Sequence, residues 1–289
     1  MKAIPSFEAE SVNAAKFKKR RDKPIILRNE VDTSTKEKMS WRNLKTTMPN
    51  FDIQLVESLA KLEKQSGASA QTKYYCNLHD YIEYCTGKEV TFTLQTGEFD
   101  IKKKKLRIDD LKLYLLNLNC NKHPQLSALV TIREYYGDWF SKYFPQYTEH
   151  VVYDKGHTWF FIGPEGTESE LHSDHNHVHT TLQQCDGSKE VFLVDPSTTI
   201  CLTQKYGNTI KFIEHNGKAW IKGTSNDPLS PELDAMILHG KLERGDTLYI
   251  PANWGHMVRS LSKSITVSRD FIDERNADAY FTSMMRRYK

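Results

Sequence analysis

The sequence predicts a mainly β fold with flanking helices, and three observations carry that expectation. From Thr158 onward, short apolar or alternating runs recur at close spacing and end at Gly, Pro or Asp signals, as in a sandwich or barrel. Aromatic residues reach 11%, with 14 Tyr and 13 Phe, which suits the walls of a large enclosed sheet. The 289 residues, 38% of them hydrophobic, suffice for a sizeable core in one large domain or two small ones.

Taken in order, residues 1–22 are polar and basic and read as a short helix or a loose arm. Lys23–Arg28 reads as a strand, with Pro24 at its permissive start. Phe51–Gln65 has helical spacing. Gln71–Cys76 and Glu89–Leu94 look like strands, with a helix over Leu78–Thr86 between them. Ile108–Leu118 fits either period, and Pro124–Tyr143 reads as helical at its start and end. Trp159–Ile162 is an apolar run stopped by Gly163-Pro164, and His172–Leu182 reads as the next strand. Gly187-Ser188 marks a turn before the strand Lys189–Val194, which Asp195-Pro196 ends. Residues 197–235 form a polar insertion with short strands around Ile210–Glu214 and Ala219–Lys222. Leu238–Glu243, Leu248–Ile250, His256–Leu261 and Ser264–Asp270 complete the strands, and Asp273–Tyr288 reads as a helix.

A net charge of +3 is only mildly basic and does not indicate nucleic acid. The runs Lys16–Arg21 and Lys102–Lys105 read first as solvated faces, with docking of an acidic or phosphorylated partner as the second reading. Five cysteines without a C-x-x-C pair argue against a disulfide framework and a zinc knuckle, and point to reduced thiols inside a cell. No stretch approaches the about 18 apolar residues of a membrane span, and no signal peptide is evident. The expectation is a soluble cytoplasmic protein, nuclear as an alternative if the source is eukaryotic.

Four of the 11 histidines fall in His172-Ser173-Asp174-His175-Asn176-His177-Val178-His179. On a strand, residues i and i+2 share a face, so His172 and Asp174 can reach one ion together. His256, after Gly245-Asp246-Thr247-Leu248-Tyr249-Ile250-Pro251, offers a distant third ligand. Two His and one carboxylate suit non-haem Fe(II), because open positions remain for a co-substrate and dioxygen. Zinc could use the same residues as a Lewis-acid site, but the carboxylate favours iron. His175, His177 and His179 would share the opposite strand face, lining the outside of the sheet or a partner surface. A His-x-His ligand pattern from them fails, because no Glu follows shortly after His177.

The stretch Trp159–Phe271 resembles the catalytic core of the JmjC and cupin-like 2-oxoglutarate oxygenases. It is nearest to the asparaginyl-hydroxylase branch that modifies hypoxia-inducible factor. The residues that carry the resemblance are Phe161–Gly166, Leu171–Asp174, Gly187–Lys189 leading to Asp195-Pro196, and Gly245–Pro251 with Trp254, His256 and Ser260-Leu261. It implies a double-stranded β-helix (jelly-roll, cupin-like) core over 151–272, a mixed α/β region over 1–150 packed on it, and a C-terminal helix over 273–289. It also implies Fe(II) held by His172, Asp174 and His256, with 2-oxoglutarate chelating the iron and O2 as the oxidant. Lys189, Tyr114 and Ser169 would meet the far carboxylate of 2-oxoglutarate, with Thr180 also in the co-substrate site. Arg269 competes with Lys189, since other 2-oxoglutarate oxygenases place an Arg near there. Two departures stand out. Ser268 replaces the Asn of the hydroxylase branch, and the His172-to-Lys189 separation is about two residues longer than that branch implies, which a bulge within His175–Thr181 would absorb.

The function so implied is hydroxylation of a side chain in a protein or peptide. A small-molecule hydroxylase, a JmjC lysine demethylase and an RNA-modifying oxygenase are alternatives, and a non-catalytic barrel is a fourth. Monomer and homodimer both fit the sequence.

Overall fold

Alternate side chains along the main strands go to two different cores, which is the signature of a sheet buried on both faces. Ile26, Leu248 and Ile250 enter one apolar cluster, while their neighbours Ile25, Leu27 and Tyr249 enter another. The computed structural model describes residues 1–57, 72–96, 100–120, 123–127, 133–143, 157–206, 210–221 and 229–287.

Two sheets face each other. The smaller has four strands, in the order Lys2–Ala3, Leu238–Leu242, Lys189–Val194 and Gly255–Ser260. The larger has eleven. At its heart Thr247–Ile250, His179–Asp186, Ser264–Phe271 and Thr158–Gly163 pair antiparallel in that order. Leu182, Val191, Leu193, Leu242, Leu248 and Ile250 fill one end of the space between the sheets. This is the jelly-roll core that the sequence predicted.

The region before residue 150 adds strands to the same large sheet. Leu113–Asn119 pairs with Thr158–Gly163, and beyond it lie Asp52–Glu57, Lys73–Asn77, Val90–Thr96 and Asp100–Leu106. The helix Leu78–Cys85 covers the outer face there, capped by Asn77 and burying Leu78, Tyr81, Ile82, Tyr84 and Cys85. The Tyr81 hydroxyl sits between the carbonyls of Ile162 (2.7 Å) and Leu113 (3.0 Å) and accepts from the Leu115 N–H. One buried phenol thus pins this helix across both strands.

Several local expectations change. Residues 52–57, read as the start of a helix, form a strand: Ile53 and Leu55 are buried while Asp52 and Gln54 are exposed, a period of two. The remainder of that expected helix, 58–65, lies outside the described residues. Ile108–Leu118 resolves as a strand only from Leu113. Residues 1–22 are not loose, since Lys2–Ala3 and Ser6–Glu8 pair with the two sheets and the helix Ala14–Lys18 buries Phe17. The 197–235 insertion carries helices at Pro196–Tyr206 and Pro231–Met236 as well as the hairpin Phe212–His215/Lys218–Ile221. Their apolar residues pack with Phe192, Val194 and Met257, so the insertion caps the outer face of the smaller sheet. Lys102–Lys105 lies on the exposed edge strand, where lysines discourage edge-to-edge pairing. Among the described residues, no helix is long and apolar enough to cross a membrane.

Gly187 fixes the turn into the strand that begins at Lys189. Its φ is +72°, and a Cβ there would fall 2.1 Å from the Lys263 carbonyl oxygen. We expect Gly187→Ala to destabilise the fold by about 2 kcal/mol or more, through strain and a backbone clash together. Urea unfolding monitored by circular dichroism measures it; an unchanged midpoint would contradict the turn's role.

Candidate metal centre

The site is built on a backbone pair between segments far apart in sequence. His172 N–H donates to the His256 carbonyl (3.0 Å), and His256 N–H donates to the His172 carbonyl (2.7 Å). Directly opposed residues present their side chains on one face, and the two imidazole centroids lie 4.2 Å apart. Asp174 completes the set: one donor atom from each of His172, Asp174 and His256 falls within 4.8 Å of the others. Asp174 Oδ1 lies 3.8 Å from His256 Nε2.

The ring tautomers follow from the backbone. His172 Nδ1 is 2.8 Å from the Glu170 carbonyl, and His256 Nδ1 is 3.3 Å from the Trp254 carbonyl. A carbonyl can only accept, so each Nδ1 carries a proton, which leaves Nε2 as the ring atom turned toward the cluster. Burial, helped by the neighbouring His172, pushes the His256 pKa down to about 4 and keeps the ring neutral. Burial alone would raise Asp174, but the imidazoles of His256 and His172 and the Thr180 hydroxyl outweigh it and hold the carboxyl below its ordinary range. Two imidazoles with Nδ1 already bonded to carbonyls, and one carboxylate, fit the donor set of a divalent transition metal.

The route to that geometry differs from the expected one. His172 and Asp174 do not sit on one continuous strand. The strand begins at His179, and His175–His177 is a tight turn with Asn176 and His177 at φ of 63° and 57°. That turn sits within the segment where a bulge was expected. The three later histidines therefore do not share a face. His175 is exposed. His177 Nδ1 meets Asn253 Oδ1 at 2.7 Å. His179 is buried on the outer side, among Tyr249, Asp273 and Arg275.

Of the expected co-substrate residues, Lys189 and Tyr114 come together: Lys189 Nζ donates to the Tyr114 hydroxyl at 2.9 Å, and both are buried. The Lys189 ammonium lies 5.9 Å from the Phe161 ring centroid, and no described carboxylate pairs with it. Burial alone pushes its pKa down to about 7. A lysine so placed either pairs with an anion or gives up its proton.

Arg269 points elsewhere. It alternates with interior Ser268 and Asp270 and lies on the outer face, bonded to Asp138 Oδ2 (2.8 Å) and Thr158 Oγ1 (3.1 Å). The Ser169 hydroxyl accepts from the Val258 N–H at 3.1 Å. Thr180 bonds to Asp174. Two residues were missed by sequence reasoning. Thr167, buried, bonds to Ser260 (3.0 Å), whose strand position faces Lys189. Asp270 sits 3.1 Å from Thr180 Oγ1. The signal for Asp270 was present: Ser264, Thr266, Ser268 and Asp270 alternate with Ile265, Val267 and Phe271, marking a polar interior stripe.

Comparison with known proteins agrees with this geometry. A family model described as a cupin-like domain matches residues 16–274, and the chain belongs to that family. Jumonji C domain-containing protein 5 of Drosophila melanogaster is 34% identical over 110 residues, 37% of this chain and 26% of that protein. Lysine-specific demethylase JMJ30 of Arabidopsis thaliana is 32% identical over 110 residues, 38% of this chain and 24% of that protein. The matched segment thus spans about a quarter of each relative's length.

The buried lysine gives a pH signature. Its folded pKa, about 7, lies below the ordinary 10.5, so between those values the unfolded chain binds the extra proton. Stability of the ligand-free protein should therefore rise with pH across this window, by up to about 1.4 kcal/mol per pH unit from this group. The difference between wild type and Lys189→Met in unfolding free energy at pH 7 and pH 9 isolates it. Parallel pH dependences in the two proteins would contradict a strained ammonium.

Proposed function

We propose that this member of the cupin-like family is an Fe(II)- and 2-oxoglutarate-dependent oxygenase that hydroxylates a side chain of a protein or peptide. One observation carries the reading: a single interior face presents a two-His, one-carboxylate set and, farther along the same strands, a buried cation without an acid partner. His256 pairs with Leu193, and Lys189 lies four residues along that strand on the same face. At about 3.3 Å per residue, the two backbone positions are roughly 13 Å apart. That separation is of the order a short diacid would span once the inward reach of Lys189 and of the imidazole rings is taken off.

His172, Asp174 and His256 would hold the iron through two Nε2 atoms and Asp174 Oδ1. Bound there, Fe(II) would supply oxidation of a substrate C–H bond by dioxygen, one oxygen atom entering the product and the other the succinate formed as 2-oxoglutarate loses carbon dioxide. Lys189 neutralises the far carboxylate, and the Tyr114 hydroxyl supports it. Binding that anion restores the lysine's ordinary preference for the charged form, because the anion replaces the lost hydration. Trp159 and Phe161, on the inner side of their strand, provide apolar walls that limit water.

Hydroxylation is favoured by the sequence blocks that resemble the asparaginyl-hydroxylase branch. The demethylase name of the Arabidopsis relative favours a second reading, oxidation of an N-methyl group on a lysine. The same centre supports both, and the substrate decides.

After anaerobic loading with Fe(II), the wild type should form succinate from 2-oxoglutarate on admission of oxygen. His172→Ala and Asp174→Ala should lower turnover by on the order of a hundredfold or more, with the fold retained. Lys189→Met should raise KM for 2-oxoglutarate at least about tenfold, since it removes a charge-assisted contact. Arg269→Gln should lower stability and leave that KM unchanged. Metal binding without succinate would sink the oxygenase reading, and the opposite KM pattern would move the anchor to Arg269. Mass spectrometry of candidate peptides, seeking one added oxygen or one lost methyl group, separates the two substrate classes.

A further inference from the structure

We propose that Asp270 and Thr180 form a relay that orients Asp174 for the metal, with Asp270 a positioning residue and not a ligand. The inference rests on reading His172, Asp174 and His256 as a metal site.

The two oxygens of Asp174 have separate duties. Oδ1 faces His256 Nε2, while Oδ2 lies 2.5 Å from Thr180 Oγ1. The same Thr180 oxygen is 3.1 Å from Asp270 Oδ1. A threonine hydroxyl carries one hydrogen and two acceptor lone pairs, so it cannot donate fully to both carboxylates. The shorter contact takes the hydrogen, and the longer one is satisfied when Asp270 supplies a hydrogen of its own. Asp270 in turn accepts a bond from the Trp159 side chain, and an indole can only donate. All donors then run one way: Trp159 to Asp270, Asp270 to Thr180, Thr180 to Asp174.

The sheet fixes this chain. Thr180 and Asp270 are directly opposed in the antiparallel register of their strands, and Asp270 N–H is bonded to the His157 carbonyl at 2.8 Å. Trp159 pairs with Ser268 on the other side of the same strand. Two carboxyl groups bridged by one hydroxyl repel when both are ionised. Among the described residues, the metal-capable group is His172, Asp174 and His256, and Asp270 is outside it. Outer partners of this kind typically change metal affinity by about 10–100-fold.

The test is titration of the whole, metal-free protein with Co(II), read by its visible absorption, with thermal unfolding of the metal-free protein recorded beside it. Asp270→Ala and Thr180→Val should each weaken Co(II) binding by about 10–100-fold. The double variant should bind no more weakly than either single one, because both cut the same chain. Asp270→Asn and Thr180→Ser, which keep a donor at each position, should bind close to wild type and serve if the truncations fail to fold. Additive losses, or unchanged Co(II) affinity with a lowered melting temperature, would overturn the relay in favour of a merely structural role. Absence of Co(II) binding by the wild type would overturn the metal reading itself, and the relay with it.

Discussion

Two backbone hydrogen bonds between His172 and His256 hold this protein's chemistry together. They join a segment that lacks strand geometry on its far side to a strand of the smaller sheet. Everything else at the site is arranged around that pair. The Glu170 and Trp254 carbonyls set the ring tautomers, and the turn at His175–His177 returns the chain to the larger sheet. The insertion braces the same segment, through the Leu171 N–H bond to the Ile210 carbonyl and the buried Lys211–Glu168 ion pair. A buried ion pair of this sort adds little net stability but is costly to break, so it fixes position more than it adds strength.

Much of the barrel was legible because its strands obey a period of two. The strands Lys189–Val194 and Ser264–Phe271 were both found from apolar runs bounded by turn residues. The ligand triad was legible for a chemical reason: His, carboxylate and distant His are rare in proximity, and the surrounding blocks resembled a known family. What escaped was decided by tertiary contacts. Helical spacing was overridden over 52–57, the start of the helix expected at Phe51–Gln65, because Asp52–Glu57 gains two strand neighbours. His172 and Asp174 meet without a shared strand, since positive φ at Asn176 and His177 breaks the regular alternation. No periodicity argument sees a left-handed residue that is not glycine.

The contrast between Lys189 and Arg269 shows what a fold adds to a list of candidates. Both are basic residues on core strands, and sequence left them as rivals. Strand parity separates them: Lys189 shares the face of Val191 and Leu193, while Arg269 shares that of Val267 and Phe271. Arg269 has Asp138 to neutralise it on the outer side, whereas the interior cation has only a phenol. A charge already balanced by the protein anchors the fold, whereas a buried amine among the described residues with no carboxylate beside it is held at a cost.

The two imidazoles also differ in access, His172 being exposed and His256 buried. Both are placed by main-chain bonds and a sheet whose apolar clusters contain no ligand residue. The positions of these side chains are thus set by the chain itself, unlike a zinc finger, where the ion organises the fold. An ion held there would enter and leave on the His172 side, the one open to solvent, with no need for the chain to unfold.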